Sequence, residues 1–153
     1  MWRLIKNVRL ARWWSGALTA TSRSEYENAL HYLNLMEGVG VDADGGAISR
    51  YGIFYRVLRG FVLISLNRRK EAGGVLMEAA RQLNSIRNPS DEIKYLICYV
   101  NVLMQSVNID QNCLDREHLA TFNYEEVDLA KVPAHVKWKF PLRYHPKWKE
   151  TSR

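Results

Sequence analysis

Hydrophobic residues recur along this chain at the three- and four-residue intervals of helices, and one arrangement of them occurs twice. Ala17 precedes Ala29 by twelve residues, and Leu33 and Met36 follow Ala29 by four and seven; Gly60, Ala72, Leu76 and Ala79 repeat the same intervals. Small residues at matched places let two helix axes approach closely, so the pattern predicts two helix hairpins crossing at Ala17/Ala29 and at Gly60/Ala72. A hairpin cannot bury its apolar face alone, and its duplication therefore predicts stacking of one unit on the next.

The rest of the pattern supplies the helices. The first 24 residues read as an opening helix that lends Leu4, Ile5, Val8 and Trp13 to the core. Ser24-Glu25-Tyr26-Glu27 has the spacing of a capping box and predicts a helix start at Ser24, running to about Glu37. Gly38 to Gly46 carries four glycines and two aspartates and reads as a loop. Residues 47–66 are apolar nearly all round, which argues for a central helix. Asn67 to Lys70 is a polar turn, followed by a helix from about Lys70 to Ile86 in which Gly73-Gly74 allows close packing or a kink. Asn88 before Pro89 reads as an N-cap for a helix over Asp91 to about Val107. A shorter helix is expected near Asp115–Phe122, and no long helix from Asn123 on.

With those residues in place, the chain resembles the tetratricopeptide repeat over about residues 10–86. Trp13, Ala17, Tyr26, Ala29 and Leu33 fill pattern positions in the first copy, and Gly60, Leu63, Ala72, Leu76 and Ala79 in the second, with Arg56 and Arg59 where that family has Trp and Leu. Ala29 and Ala72 stand 43 residues apart, longer than the family repeat, and the Gly-rich loop is the place for the excess. The resemblance implies an all-α fold of stacked antiparallel hairpins and a concave groove for peptides. It assigns the groove positions to Ala11, Trp14, Leu18 and Thr21 on one helix and Phe54, Val57, Phe61 and Ile64 on another. A generic helical bundle is the alternative fold.

Charge divides the chain into blocks. The net charge is +6, distributed as +5 over 1–23, −4 over 24–50, +5 over 51–88, −6 over 89–130 and +6 over 131–153. Basic ends suit phosphates, lipid headgroups or acidic proteins. The N-terminal segment, with Arg3, Lys6, Arg9 and Arg12 and no acid before Glu25, also has the character of a membrane-surface helix or a mitochondrial targeting segment. Residues 1–130 read as the helical domain and 131–153 as an extended tail held straight by Pro133, Pro141 and Pro146. In that tail Lys137, Trp138, Lys139, Arg143, Tyr144, Lys147, Trp148 and Lys149 interleave cations with rings. Such a segment lies extended across the chain's own helical body with Trp138 and Phe140 inserted between helices, or contacts a partner protein, or pairs phosphates while its rings stack on bases.

Candidate chemistry is sparse. Cys98 and Cys113 lack zinc-ligand spacing, and Cys98 sits in an apolar run and reads as a core thiol, which favours a reducing intracellular compartment: the cytoplasm, or a mitochondrion if the first helix is a targeting segment. Asp42, Asp44 and Gly45 echo an acidic metal loop without the remaining oxygen ligands. Cys113, Glu117 and His118 lie close in sequence and read as surface residues. No nucleophile-elbow, zincin or phosphate-loop motif occurs. No run is long and apolar enough to span a bilayer. The expectation is a non-catalytic protein-interaction adaptor or assembly subunit, without metal or cofactor and with other protein subunits as partners. The alternatives are a ribonucleoprotein component and a peripheral membrane protein using the basic first helix.

Overall fold

A computed structural model describes the backbone of residues 2–39, 50–107, 127–132 and Ala134, with side chains from Val8 on in the first helix. The described residues are helical, without strands: α1 Trp2–Ser22, α2 Tyr26–Val39, α3 Arg50–Ser65, α4 Arg69–Asn84, α5 Asp91–Ser106 and a 3-10 turn at Leu129–Lys131. Contacts divide the chain into two compact units, Met1–Val75 and Leu76–Arg153. The expected helix near Asp115–Phe122, the loop over 40–46 and the tail from His135 lie outside the described residues.

In the first unit α1 packs on α2, and α2 on α3. Leu10, Trp14, Ala17 and Ala20 form the buried stripe of α1, and Ala29, Leu30, Leu33 and Met36 that of α2. Ala17 and Ala29 are fully buried, as the twelve-residue interval predicts. A close approach lies one residue earlier. A Cβ added at Gly16 would stand 2.9 Å from the ring of Tyr32, so a side chain there would require that ring to shift.

The hairpin corner is built from backbone bonds that occur twice. At the end of α1, Ser24 N–H donates to Thr21 O (3.0 Å) and Glu25 N–H to Ala20 O (2.8 Å), with Ser24 at φ 59°. At the end of α3, Asn67 N–H donates to Ile64 O (2.9 Å) and Arg68 N–H to Leu63 O (2.8 Å), with Asn67 at φ 60°. Both are Schellman closures around one left-handed residue. Each leads straight into the next helix, whose first bond is Ala29 N–H to Glu25 O (3.0 Å) or Ala72 N–H to Arg68 O (3.1 Å). Every atom pair in the second corner is 43 residues after its counterpart, so the repeat seen in side chains is also a repeat of backbone geometry.

This corner corrects the reading of Ser24 as an N-cap. Ser24 terminates α1 in the left-handed region, its N–H closing the preceding helix, and α2 begins at Tyr26. The start of α5 is corrected in the same way. Asn88 takes φ 51° in the connection, and Ser90 is the cap, its hydroxyl accepting from Ile93 N–H at 3.4 Å. A third correction concerns α1: Val8 is 60% exposed rather than in the core, and Trp13 is half-buried, because the stripe that faces α2 passes through Leu10 and Trp14.

In the second unit α5 buries every residue from Tyr95 to Val100, then Leu103 and Met104. The 3-10 turn packs on α5, anchored where the Asp91 carboxylate, in the first turn of α5, accepts from Asp128 N–H at 3.0 Å. Val127 and Val132 are buried on either side of that turn. Gly73 is buried within α4, whereas Gly74 is exposed with open space where its Cβ would be.

Candidate functional site

The stripe of α3 that carries Phe54, Val57, Phe61 and Ile64 spans less than a quarter of the helix circumference, because intervals of three, four and three residues return to nearly the same side. Its members are not equivalent. Val57 is fully buried and contributes to the core, while Phe54, Phe61 and Ile64 are half-buried. The corresponding stripe of α1 shows the same grading: Trp14 is buried, Leu18 and Thr21 are half-buried, and Ala11 is exposed. Trp14 and Val57 correspond across the repeat, as do Leu18 and Phe61. The apolar residues of the two stripes that keep some exposed surface are therefore Leu18, Phe54, Phe61 and Ile64, whereas Trp14 and Val57 are buried.

Two features fix α3 against α2 and so set the position of this stripe. Phe61 meets Tyr26 edge-on, ring centroids 6.2 Å apart at 70°. Further along, Arg59 replaces the apolar residue that the tetratricopeptide pattern would place there, and its guanidinium forms a clamp. Arg59 Nη1 donates to Asn34 Oδ1 at 2.8 Å and to Tyr55 Oη at 3.3 Å, and lies 3.6 Å from Glu37 Oε2. Tyr55 in turn donates its hydroxyl to Glu37 Oε2 at 3.2 Å. The Arg59 side chain is only 16% exposed while its acidic partner Glu37 is 64% exposed, so the guanidinium lies along the helix seam and meets its partners at the seam's solvent edge. Burial pushes the Tyr55 phenol up to about 12, Glu37 adding to the rise and Arg59 opposing it. Tyr55 is thus a neutral hydrogen-bonding post at ordinary pH, suited to holding two helices together.

Sequence reasoning marked Arg56 and Arg59 only as departures from a pattern. The signal for the clamp was there: Glu37 and Asn34, one turn apart near the end of α2, and Tyr55 and Arg59, one turn apart on α3, are complementary pairs. The other singled-out positions do not gather. Cys98 is buried in α5, as expected, and His31 is exposed beside Tyr32. Among the described residues no group of His, Cys, Asp or Glu has the arrangement of a metal site. Asp42, Asp44, Cys113, Glu117 and His118 lie outside the described residues, as do Lys137, Trp138, Lys139, Arg143, Tyr144, Lys147, Trp148 and Lys149. No described helix is long and apolar enough to cross a membrane.

Comparison with protein-family models, with curated protein sequences and with solved structures returns no significant match.

Proposed function

We propose that this chain is a non-catalytic protein-interaction adaptor or assembly subunit that contacts its partner through the half-buried apolar row of α1 and α3. The observation that carries this reading is the recurrence of the row across the repeat. Leu18 and Phe61 stand at matched positions, both half-buried, each next to a buried partner on its own helix, Trp14 or Val57. A graded stripe of this kind offers apolar side chains to a partner while the row beneath keeps the helices rigid, which lowers the ordering cost of binding. The tetratricopeptide resemblance supports the same surface, since the positions it assigns to ligand contact include these residues.

The test is a capture experiment with the full chain and with Leu18→Glu and Ile64→Glu variants. A partner retained by the parent chain should be lost from both variants while their thermal midpoints stay close to the parent's. Because the contact is apolar, retention should weaken little as salt rises. A partner that survives both substitutions, or that washes off in salt, places the interface elsewhere.

A further inference from the structure

We infer that the N-terminal turns of α1 form a docking surface for an anionic lipid bilayer, independently of the apolar row on α1 and α3. Length is the first reason. α1 has 21 residues and α2, folded back on it through the three-residue corner, has 14. At 1.5 Å per residue the two helices run about 31 Å and about 21 Å, so α1 is roughly two turns longer than the helix folded back on it. Among the side chains described, Val8 is 60% exposed and Leu10 is the first that is buried.

Charge is the second reason. The segment Trp2–Arg12 holds Arg3, Lys6, Arg9 and Arg12 and no acidic residue. Arg9 and Arg12, the two whose side chains are described, are both exposed. Cations on one helical segment suit any polyanion, and Val8 separates the candidates. Of the described large hydrophobic residues, Val8 is the most exposed, ahead of Leu35 at 36%, and it lies one residue before Arg9 and one turn before Arg12. A phosphodiester strand or an acidic polypeptide would neutralise the arginines and leave Val8 in water. A bilayer interface takes both, with the apolar side chain entering the acyl boundary while the cations stay among the headgroups. Trp2 begins the helix, and tryptophan is a residue that such interfaces accommodate.

The experiment is flotation of the full chain with vesicles of phosphatidylcholine alone or of phosphatidylcholine mixed with phosphatidylserine. Binding should require phosphatidylserine and fall as salt rises. Arg9→Gln and Arg12→Gln should each weaken it about fivefold, the equivalent of ≈1 kcal/mol per cation at an anionic surface. Val8→Ser should weaken it about tenfold through lost apolar burial. All three positions are exposed, so unchanged thermal midpoints show that the fold is intact. Equal binding to both vesicle types overturns the inference, as does the absence of binding to either. Binding to an oligonucleotide or to polyglutamate that Val8→Ser leaves unchanged, with none to vesicles, also overturns it and reassigns the surface to a soluble polyanion. None of these outcomes depends on Leu18 or Ile64, so the adaptor reading stands or falls separately.

Discussion

α1 and α3 enter the same corner and carry the same inner stripe, yet they differ on their second face. Leu10, Trp14, Ala17 and Ala20 on α1 correspond to Ile53, Val57, Gly60 and Leu63 on α3, and all eight are buried. Beside them, α1 exposes Arg12, Ser15 and Thr19, whereas α3 buries Tyr55, Leu58 and Val62 at the matching positions. The shared stripe builds the helix pair. The second face differs: the described residues there are polar and exposed on α1 but buried on α3, so α3 is covered on two faces where α1 is covered on one. Charge follows the same division, since α1 leaves Arg12 in water while α3 brings Arg59 inward against Asn34, Tyr55 and Glu37.

The strongest test of that division compares Leu58 with Ser15. Leu58→Ala should destabilise the protein by about 2–5 kcal/mol, because it leaves a cavity on a covered face. Ser15→Ala at the matching exposed position should change stability by no more than about 0.5 kcal/mol. Chemical denaturation of the two variants measures both. Similar losses would mean that the outer face of α1 is covered in solution and that the two helices are equivalent after all.

The seam itself should respond alike in both copies. Ala29 and Ala72 have no exposed surface, and enlarging either to leucine should cost about 1–3 kcal/mol by overpacking. A loss at Ala29 without a comparable loss at Ala72 would show that the second copy keeps the corner of the first but not its close helix approach.

Much of this was readable in the residue pattern, and the failures have a common cause. All eight residues of the duplicated motif are buried, and the helix boundaries fall within about three residues of their expected places. Apolar spacing reports burial directly, which is why that level succeeded. Ser24 was misread because Ser-x-x-Glu is a local signal for a helix start, while the actual conformation is dictated by the carbonyls of Ala20 and Thr21 that must be closed behind it. Asn88 failed for the same reason, its left-handed φ being a property of the connection. Val8 was assigned to the core because helical spacing fixes a face but not how far the neighbouring helix extends along it. The Arg59 clamp is long-range, 22 and 25 residues from its partners on α2: the complementary pairs are present in the sequence, but local spacing does not say which of them meet. Whether the apolar row receives a partner was not written in the pattern at all, because a half-buried residue of a single chain looks the same with or without one.

The clamp that distinguishes α3 from α1 should be visible in alkaline titration. Below pH 10 the Tyr55 phenol is protonated in both folded and unfolded chains, and its contribution to stability is constant. Its folded pKa is raised from 10.0 to about 12, so between those values the folded state holds a proton that the unfolded state loses, and stability falls as pH rises through that window. Tyr55→Phe should remove this part of the alkaline slope and, at neutral pH, cost about 0.5–1.5 kcal/mol for the lost hydrogen bond. Denaturation midpoints followed from neutral pH upward measure both effects. An alkaline slope unchanged by the substitution would remove Tyr55 from the clamp and leave Arg59 to Asn34 and Glu37.

The smallest difference between the copies sits at the corners, where one conformation is taken by two different residues. Serine in the left-handed region pays a steric cost of about 1 kcal/mol, whereas asparagine tolerates that region through its short polar side chain. Glycine escapes the cost but adds freedom to the unfolded chain, which returns part of the gain. Ser24→Gly should therefore stabilise the protein by roughly 0.5 kcal/mol, and Asn67→Gly should be close to neutral. The order of the two effects, read from paired denaturation curves, matters more than their size. If Ser24→Gly destabilises the chain, the serine side chain contributes something at the first corner that its backbone geometry does not reveal, and the two corners are alike in their bonds but not in what holds them.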